Sequence, residues 1–139
     1  MKNRDIVNLD VCIKYCKYGL IDAEKKLHTI PDMPFKLMYA LGRTEEHLKS
    51  AIKSIKESED KINSEYLTKD KKGERYEALP DGRYDAGKKQ DEYENKIQEL
   101  FDMAEDVKIH KVSLDAMDFK VPQRFSQFLD VIAKHMIDE

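Results

Sequence analysis

The stretch FKLMYALGRTEEHLKSAIKSIKESEDKINSEYL, residues 35–67, decides the fold. Within it Met38, Leu41, Glu45, Leu48, Ile52, Ile55, Glu59, Ile62 and Tyr66 recur at alternating spacings of three and four, and seven of the nine are apolar. That period draws a single stripe along a helix whose other faces carry Lys, Glu and Ser for water. At ~1.5 Å per residue the helix is about 50 Å long. A rod of this length cannot bury its own stripe, so the rest of the chain must supply partners along all of it.

Upstream, Ile6, Leu9, Ile13, Cys16, Leu20, Ala23 and Leu27 form a second stripe, which predicts a helix over residues 3–26. Gly19 is its weak point, worth roughly 1 kcal/mol relative to Ala, and marks where it kinks or breaks. Residues 28–34 read as a connector, because Pro31 and Pro34 oppose helix on both sides. Downstream, residues 68–87 form a projecting loop. Lys69-Asp70-Lys71-Lys72-Gly73 is a turn-rich charge run, and Pro80-Asp81-Gly82 is a turn between two short segments, 75–79 and 83–85, expected to pair as a two-stranded ribbon. An isolated ribbon is marginal in water and must lean on the helices.

A third helix is expected over 90–106, with Tyr93, Ile97, Leu100, Ala104 and Val107 on its apolar face. It is shorter than the second, so the first and last helices must cover what it leaves bare. Residues 107–114 alternate apolar and polar and predict a short strand, whose partner lies either in this chain or in another copy. Pro122 opens a terminal helix over 122–138 carrying Phe125, Phe128, Leu129, Ile132 and Met136. The expected architecture is mainly α: one domain, residues 1–139, built on a long antiparallel coiled-coil hairpin with the N- and C-terminal helices packed alongside.

Composition narrows the function. The chain of 139 residues is 38% charged and 40% hydrophobic, the mix of long exposed helices. It has no stretch of 18 apolar residues to span a membrane. Asp10 and Lys14 interrupt the apolar run a signal peptide needs, which points to the cytoplasm. A net charge of −3 argues against direct nucleic-acid binding, which favours a basic excess. Cys12 and Cys16 share one helical face and read as small buried hydrophobes, not as a staple or a metal pair.

His28, His47, His110 and His135 make no metal-binding spacing, and the five glycines make no phosphate loop or nucleophile elbow. Asp91, Glu92, Glu94, Glu99, Asp102, Glu105 and Asp106 read as a solvated face, with a docking surface for a basic partner as the alternative. No catalytic residue, metal or cofactor is expected, and the chain is not read as an enzyme. The loop stands out instead. Arg75, Tyr76, Leu79, Arg83 and Tyr84 put rings, a guanidinium and an apolar group on one projecting element, the composition of a partner-binding hot spot. The competing reading is that the two tyrosines only cap the end of the helices.

The order of elements adds a resemblance. An N-terminal helix leads into Leu27-His28-Thr29-Ile30-Pro31-Asp32-Met33-Pro34-Phe35-Lys36-Leu37-Met38-Tyr39-Ala40-Leu41 and a Lys/Glu-rich coil. Lys69-Asp70-Lys71-Lys72-Gly73-Glu74, a shorter coil, Val107-Lys108-Ile109-His110-Lys111-Val112 and a Pro-initiated helix follow. This resembles a family of small helical proteins encoded by tailed phages and prophages of Gram-positive bacteria. The resemblance implies the host bacterial cytoplasm and brings no agreed activity with it. In that setting the absence of a catalytic constellation, the long helical rod and the aromatic-basic loop point to a non-enzymatic protein-binding module, acting on a host or viral protein complex. Such a module inhibits or redirects a host machine, for example a nuclease-based defence such as CRISPR, or polymerase. The alternative is a virion assembly chaperone or homo-oligomeric scaffold. Prefoldin-like subunits are a poorer match, because the second coil is too short for the first.

Overall fold

The computed structural model describes residues 1–138. Its axis is α2 (Phe35–Tyr66), one unbroken helix of 32 residues. Pro34 fixes an extended entry and has no N–H to lose, and Leu67 leaves the helix in an extended conformation. Of the expected stripe, Leu41, Leu48 and Ile55 are buried. The second line of the stripe is shifted by one residue at its start, while Ile52 and Tyr66 further along pack as expected. Leu37 and Thr44 are fully buried, whereas Met38 is 52% exposed and Glu45 lies at the edge of a groove. Thr44 is tolerated in the core because its Oγ1 accepts the His110 N–H at 3.0 Å.

The partners of α2 come in two pieces. α3 (Gln90–Asp102) runs antiparallel to its distal part: the Tyr93 hydroxyl donates to Asn63 Oδ1 at 2.7 Å, and that of Tyr66 to Glu92 at 2.8 Å. α1 (Asn3–Tyr18) runs antiparallel to the middle, with Lys17 against Glu45 at 2.7 Å. The C-terminus of α3 meets the N-terminus of α1. The Asn3 backbone N–H donates to the Met103 carbonyl at 2.8 Å, and Asn3 Nδ2 to the Leu100 carbonyl at 2.8 Å. Carbonyls orphaned at the end of one helix thus accept donors orphaned at the start of the next, with the two dipoles aligned. Together they line α2 from Glu45 to Tyr66, and residues 110–116 lie against its start. The coverage assigned to a coiled-coil hairpin is supplied by this composite.

That junction explains two boundaries. α3 was expected to reach residue 106 but stops at Asp102, because Lys2 and Ala104 pair in an antiparallel bridge and the Glu105 N–H donates to the Met1 carbonyl at 2.9 Å. α1 was expected to reach residue 26 but stops at Tyr18. Gly19 has φ 100, and a Cβ there would lie 2.6 Å from the His28 carbonyl oxygen. The chain then forms a tight hairpin, β1 (Leu20–Ile21) paired antiparallel with β2 (Leu27–His28). Asp22 Oδ1 accepts the N–H groups of Glu24 and Lys26, and Lys25 takes the left-handed conformation that closes the turn. Leu27, read as part of the stripe, is 60% exposed.

Most of the expected strand over 107–114 is irregular chain, and Leu114 opens a 3-10 turn. Val107 and Ile109 pack on the core, and only β3 (Val112–Ser113) pairs, in parallel with β4 (Ile137–Asp138) of the same chain. The terminal helix is correspondingly shorter than 122–138. Gln123–Phe125 is a 3-10 turn, α4 is Ser126–Met136, and β4 follows. α4 closes the core on α1 with Phe125, Leu129, Ile132 and Met136, while Phe128 meets Tyr15 at 4.8 Å between ring centroids.

Asn3 is 2% exposed, and its Oδ1 has no partner among the described residues, so its value to the junction rests on the amide N–H. Asn3→Ala removes that bond and leaves the Leu100 carbonyl only the Met103 N–H at 3.3 Å, and is expected to cost about 0.5–1.5 kcal/mol. The shift of the urea midpoint measures it; an unchanged midpoint contradicts the end-to-end junction.

Candidate functional site

The loop expected to bind a partner is a small meander. Asp70 Oδ1 accepts the N–H groups of Lys72 and Glu74, and Gly73 takes φ 68, which makes the first turn. Asp81 accepts the Arg83 N–H, and Gly82 takes φ 91, which makes the second. Lys69 pairs with Tyr76 and Ala78 with Tyr84, so three short segments lie side by side. The expected 75–79/83–85 ribbon is present, and an unexpected hairpin precedes it. Gln90 anchors the meander to α3: its Nε2 donates to the Tyr84 carbonyl at 2.9 Å, and its Oε1 accepts the Ala86 N–H at 2.7 Å.

Tyr76 and Tyr84 stand edge to face with centroids 5.8 Å apart, and the Lys69 ammonium lies 5.6 Å above the Tyr76 ring. Tyr84 remains 45% exposed. Arg83 is less free than the sequence implies. Its backbone N–H and then its guanidinium, 2.7 Å from Asp81, hold the Asp81 carboxyl below its ordinary range, and its bond to Glu94 at 2.5 Å ties the meander to α3. Leu79 is half-buried at the second turn, its N–H bonded to the Arg83 carbonyl. Arg75 projects from the first turn beside Asp70, Glu74 and Glu77. Arg83 and Tyr84 therefore share a surface from which Arg75 is set apart.

Two further tyrosines join this end of the rod. Tyr93 lines an open depression of about 560 Å³ with Arg83, Tyr84 and Gln90, and Tyr66 packs on Tyr93 at 6.0 Å. Four of the seven tyrosines thus gather here. Burial pushes the Tyr93 phenol pKa up, and hydrogen bonding to Glu92 raises that of Tyr66, so both rings are protonated donors at neutral pH. Their stripe positions were legible in the sequence; that the loop folds back beside them was not.

The other chemistry is quiet. Among the described residues no three His, Cys, Asp or Glu side chains gather to hold a metal ion. Cys12 and Cys16 are free and buried, and burial pushes the Cys16 thiol pKa up to about 12, which removes its nucleophilic form. Several carboxylates of the acidic helix serve the fold: Glu92 holds Tyr66, Glu94 holds Arg83, and Asp102 holds Arg4. No described helix is long and apolar enough to cross a membrane.

A second exposed surface lies at the opposite end of α2, where the sequence placed Met38 on the apolar stripe and pointed to no binding surface. Phe35 is 80% exposed and stacks on Tyr39 at 6.3 Å, and Tyr39 meets His110 edge-on at 5.5 Å. Met38 and Leu114 are also exposed. The chain matches no known family, and no curated protein or solved structure was found to be similar to it.

Proposed function

We propose that the protein is a non-enzymatic binding module that engages a host or viral protein complex through the tyrosine-rich end of its rod. The observation that carries this reading is the Tyr76–Tyr84 pair, held edge to face on a meander that α3 braces through Gln90 and Arg83. Rigid tyrosines offer contact area and a hydrogen-bonding tip at low entropic cost, which is why they dominate hot spots. The phage resemblance supports a bacterial cytoplasmic setting. There the module blocks or redirects a larger machine, a nuclease-based defence or polymerase, by occupying its surface. The α2–α3 pair, read as a short coiled-coil hairpin, is the arm that carries the tyrosines outward.

The triple variant Arg75→Ala/Tyr76→Ala/Tyr84→Ala tests this. Affinity capture from phage-infected host cells identifies the partner of the wild-type chain. The variant is expected to lose its binding at least about a hundredfold, as loss of two or three hot-spot residues implies, with far-UV circular dichroism unchanged. Capture at wild-type strength removes the meander from the account.

One observation favours the assembly chaperone or scaffold as a second reading: the exposed Phe35, Met38, Tyr39 and Leu114, residues of the kind that mark a subunit contact. Light scattering separates the two. A stable monomer supports the binding module, and a defined oligomer broken by Phe35→Ala supports the scaffold.

A further inference from the structure

α1 and α2 enclose a groove of about 450 Å³ on the side turned away from the core. α1 contributes Asp10, Lys14 and Tyr18, and α2 contributes Glu45, Lys49, Ile52, Lys53 and Lys56, each set one face of its helix. The two carboxylates are already answered, Asp10 by Lys14 at 2.8 Å and Glu45 by Lys17 at 2.7 Å. Lys49 reaches Glu46 at 2.9 Å. Lys53 and Lys56 are exposed and enter no ion pair among the described residues. Four lysines against two carboxylates give the lining a charge of +2, in a chain whose net charge is −3.

The lining also offers apolar surface, which a bare phosphate site would not need. Ile52 packs against the core, and the Tyr18 ring lies under the Lys17 ammonium at 4.8 Å. From Glu45 to Lys56 the lining runs about 16 Å along α2, three helical turns. A row of lysines beside the apolar surface of Ile52 and the exposed Tyr18 ring complements one kind of element, an amphipathic helix with acidic flanks.

We propose that the α1–α2 groove docks an acidic amphipathic helix of a partner protein. Carboxylates at i, i+4 and i+7 meet Lys49, Lys53 and Lys56, and apolar side chains enter over Ile52 and Tyr18. This surface is separate from the tyrosine-rich meander, so its test reads different residues and can fail without touching that reading.

The probe is a synthetic four-turn helix carrying Glu and Leu at those spacings. It is compared with its scrambled counterpart and with a single-stranded oligodeoxynucleotide of equal charge, by fluorescence anisotropy and amide chemical shifts. The ordered helix is expected to bind at least about tenfold tighter than either control, to shift amides along 10–18 and 45–56, and to weaken as salt is raised. Lys53→Glu/Lys56→Glu is expected to lose at least about tenfold, and Lys53→Gln/Lys56→Gln less, with the melting curves showing both variants folded. Equal binding of the scrambled peptide, tighter binding of the oligonucleotide, or full binding by the charge-reversed variant overturns the proposal.

Discussion

Ser50→Pro is expected to be the most damaging substitution at any exposed position of this protein, costing about 3 kcal/mol or more. Ser50 lies in the middle of α2 with its side chain in solvent, so no packing is lost directly. The damage is to the backbone: one i→i−4 hydrogen bond disappears and the ring collides with the carbonyl of Glu46. A kink there also lifts the distal part of α2 away from α1. Against a total stability of about 5–15 kcal/mol, that loss removes a large fraction of the folded population's margin. Ser50→Ala is expected to stay within about 0.5 kcal/mol of wild type. Urea midpoints for the pair decide the matter, because a chain that turned near residue 50 would accept proline there without penalty.

Phe125→Ala is expected to cost about 3–5 kcal/mol, the range for emptying a large aromatic site in a core. Phe125 is 0% exposed, sits edge to face with Phe128 at 6.3 Å, and precedes α4 in the turn that Pro122 initiates. Its removal loosens the contact of α4 with α1 and leaves Leu129 and Ile132 facing a void. Phe35→Ala provides the contrast. Phe35 also follows a proline into a helix, yet it is 80% exposed, so the monomer is expected to lose no more than about 0.5 kcal/mol. Thermal melts of the two variants should therefore differ by many degrees. Similar melting points would mean that α4 does not close the core as described.

These two phenylalanines show where the sequence stops being legible. Helical period identifies a face, and a proline identifies a start, but neither says which start is covered by another element. α2 was readable because its period runs for nine stripe positions, with Pro34 at one end and a charge run beyond the other. Even so, the first two positions of one of its lines, Met38 and Glu45, were misplaced by a residue. Glu45 and Thr44 are both polar, and only the third dimension shows that the His110 N–H satisfies Thr44 while Lys17 holds Glu45. Gly19 flagged where α1 stops, but the hairpin that follows it, like the end of α3, was unreadable for a related reason. Leu20, Ala23 and Leu27 continue one stripe, as Ala104 and Val107 continue the other, but nonlocal partners outcompete both helices. The β1–β2 hairpin takes the first segment, and Met1 to Asn3 take the second. Alternation over 107–114 predicted a strand, yet Leu114 already belongs to a 3-10 turn, and only Val112 and Ser113 pair. Their strand partner lay in residues that the helical period had absorbed into α4.

The candidate surface followed the same rule. The aromatic and basic content of the loop could be seen from residue types, and turn chemistry at Asp81-Gly82 placed its ribbon. The pairing of Arg83 with Glu94 and the arrival of Tyr66 and Tyr93 beside the loop depend on how α3 seats on α2. No local pattern encodes that.

The continuous rod is the claim on which the seam, the composite of α3 and α1 and the position of the tyrosines all depend. Spin labels at Lys36→Cys and Ser64→Cys, both exposed positions of α2, measure it directly. Cys12 and Cys16 are 3% and 4% exposed, with thiol pKa values raised by burial, and are expected to remain unlabelled. A pulsed electron-electron double resonance experiment is expected to give one narrow distance near 42 Å, about 1.5 Å for each intervening residue, broadened only by the tethers. A broad distribution, or a main population below about 30 Å, would mean that α2 is bent or broken, and would contradict the account.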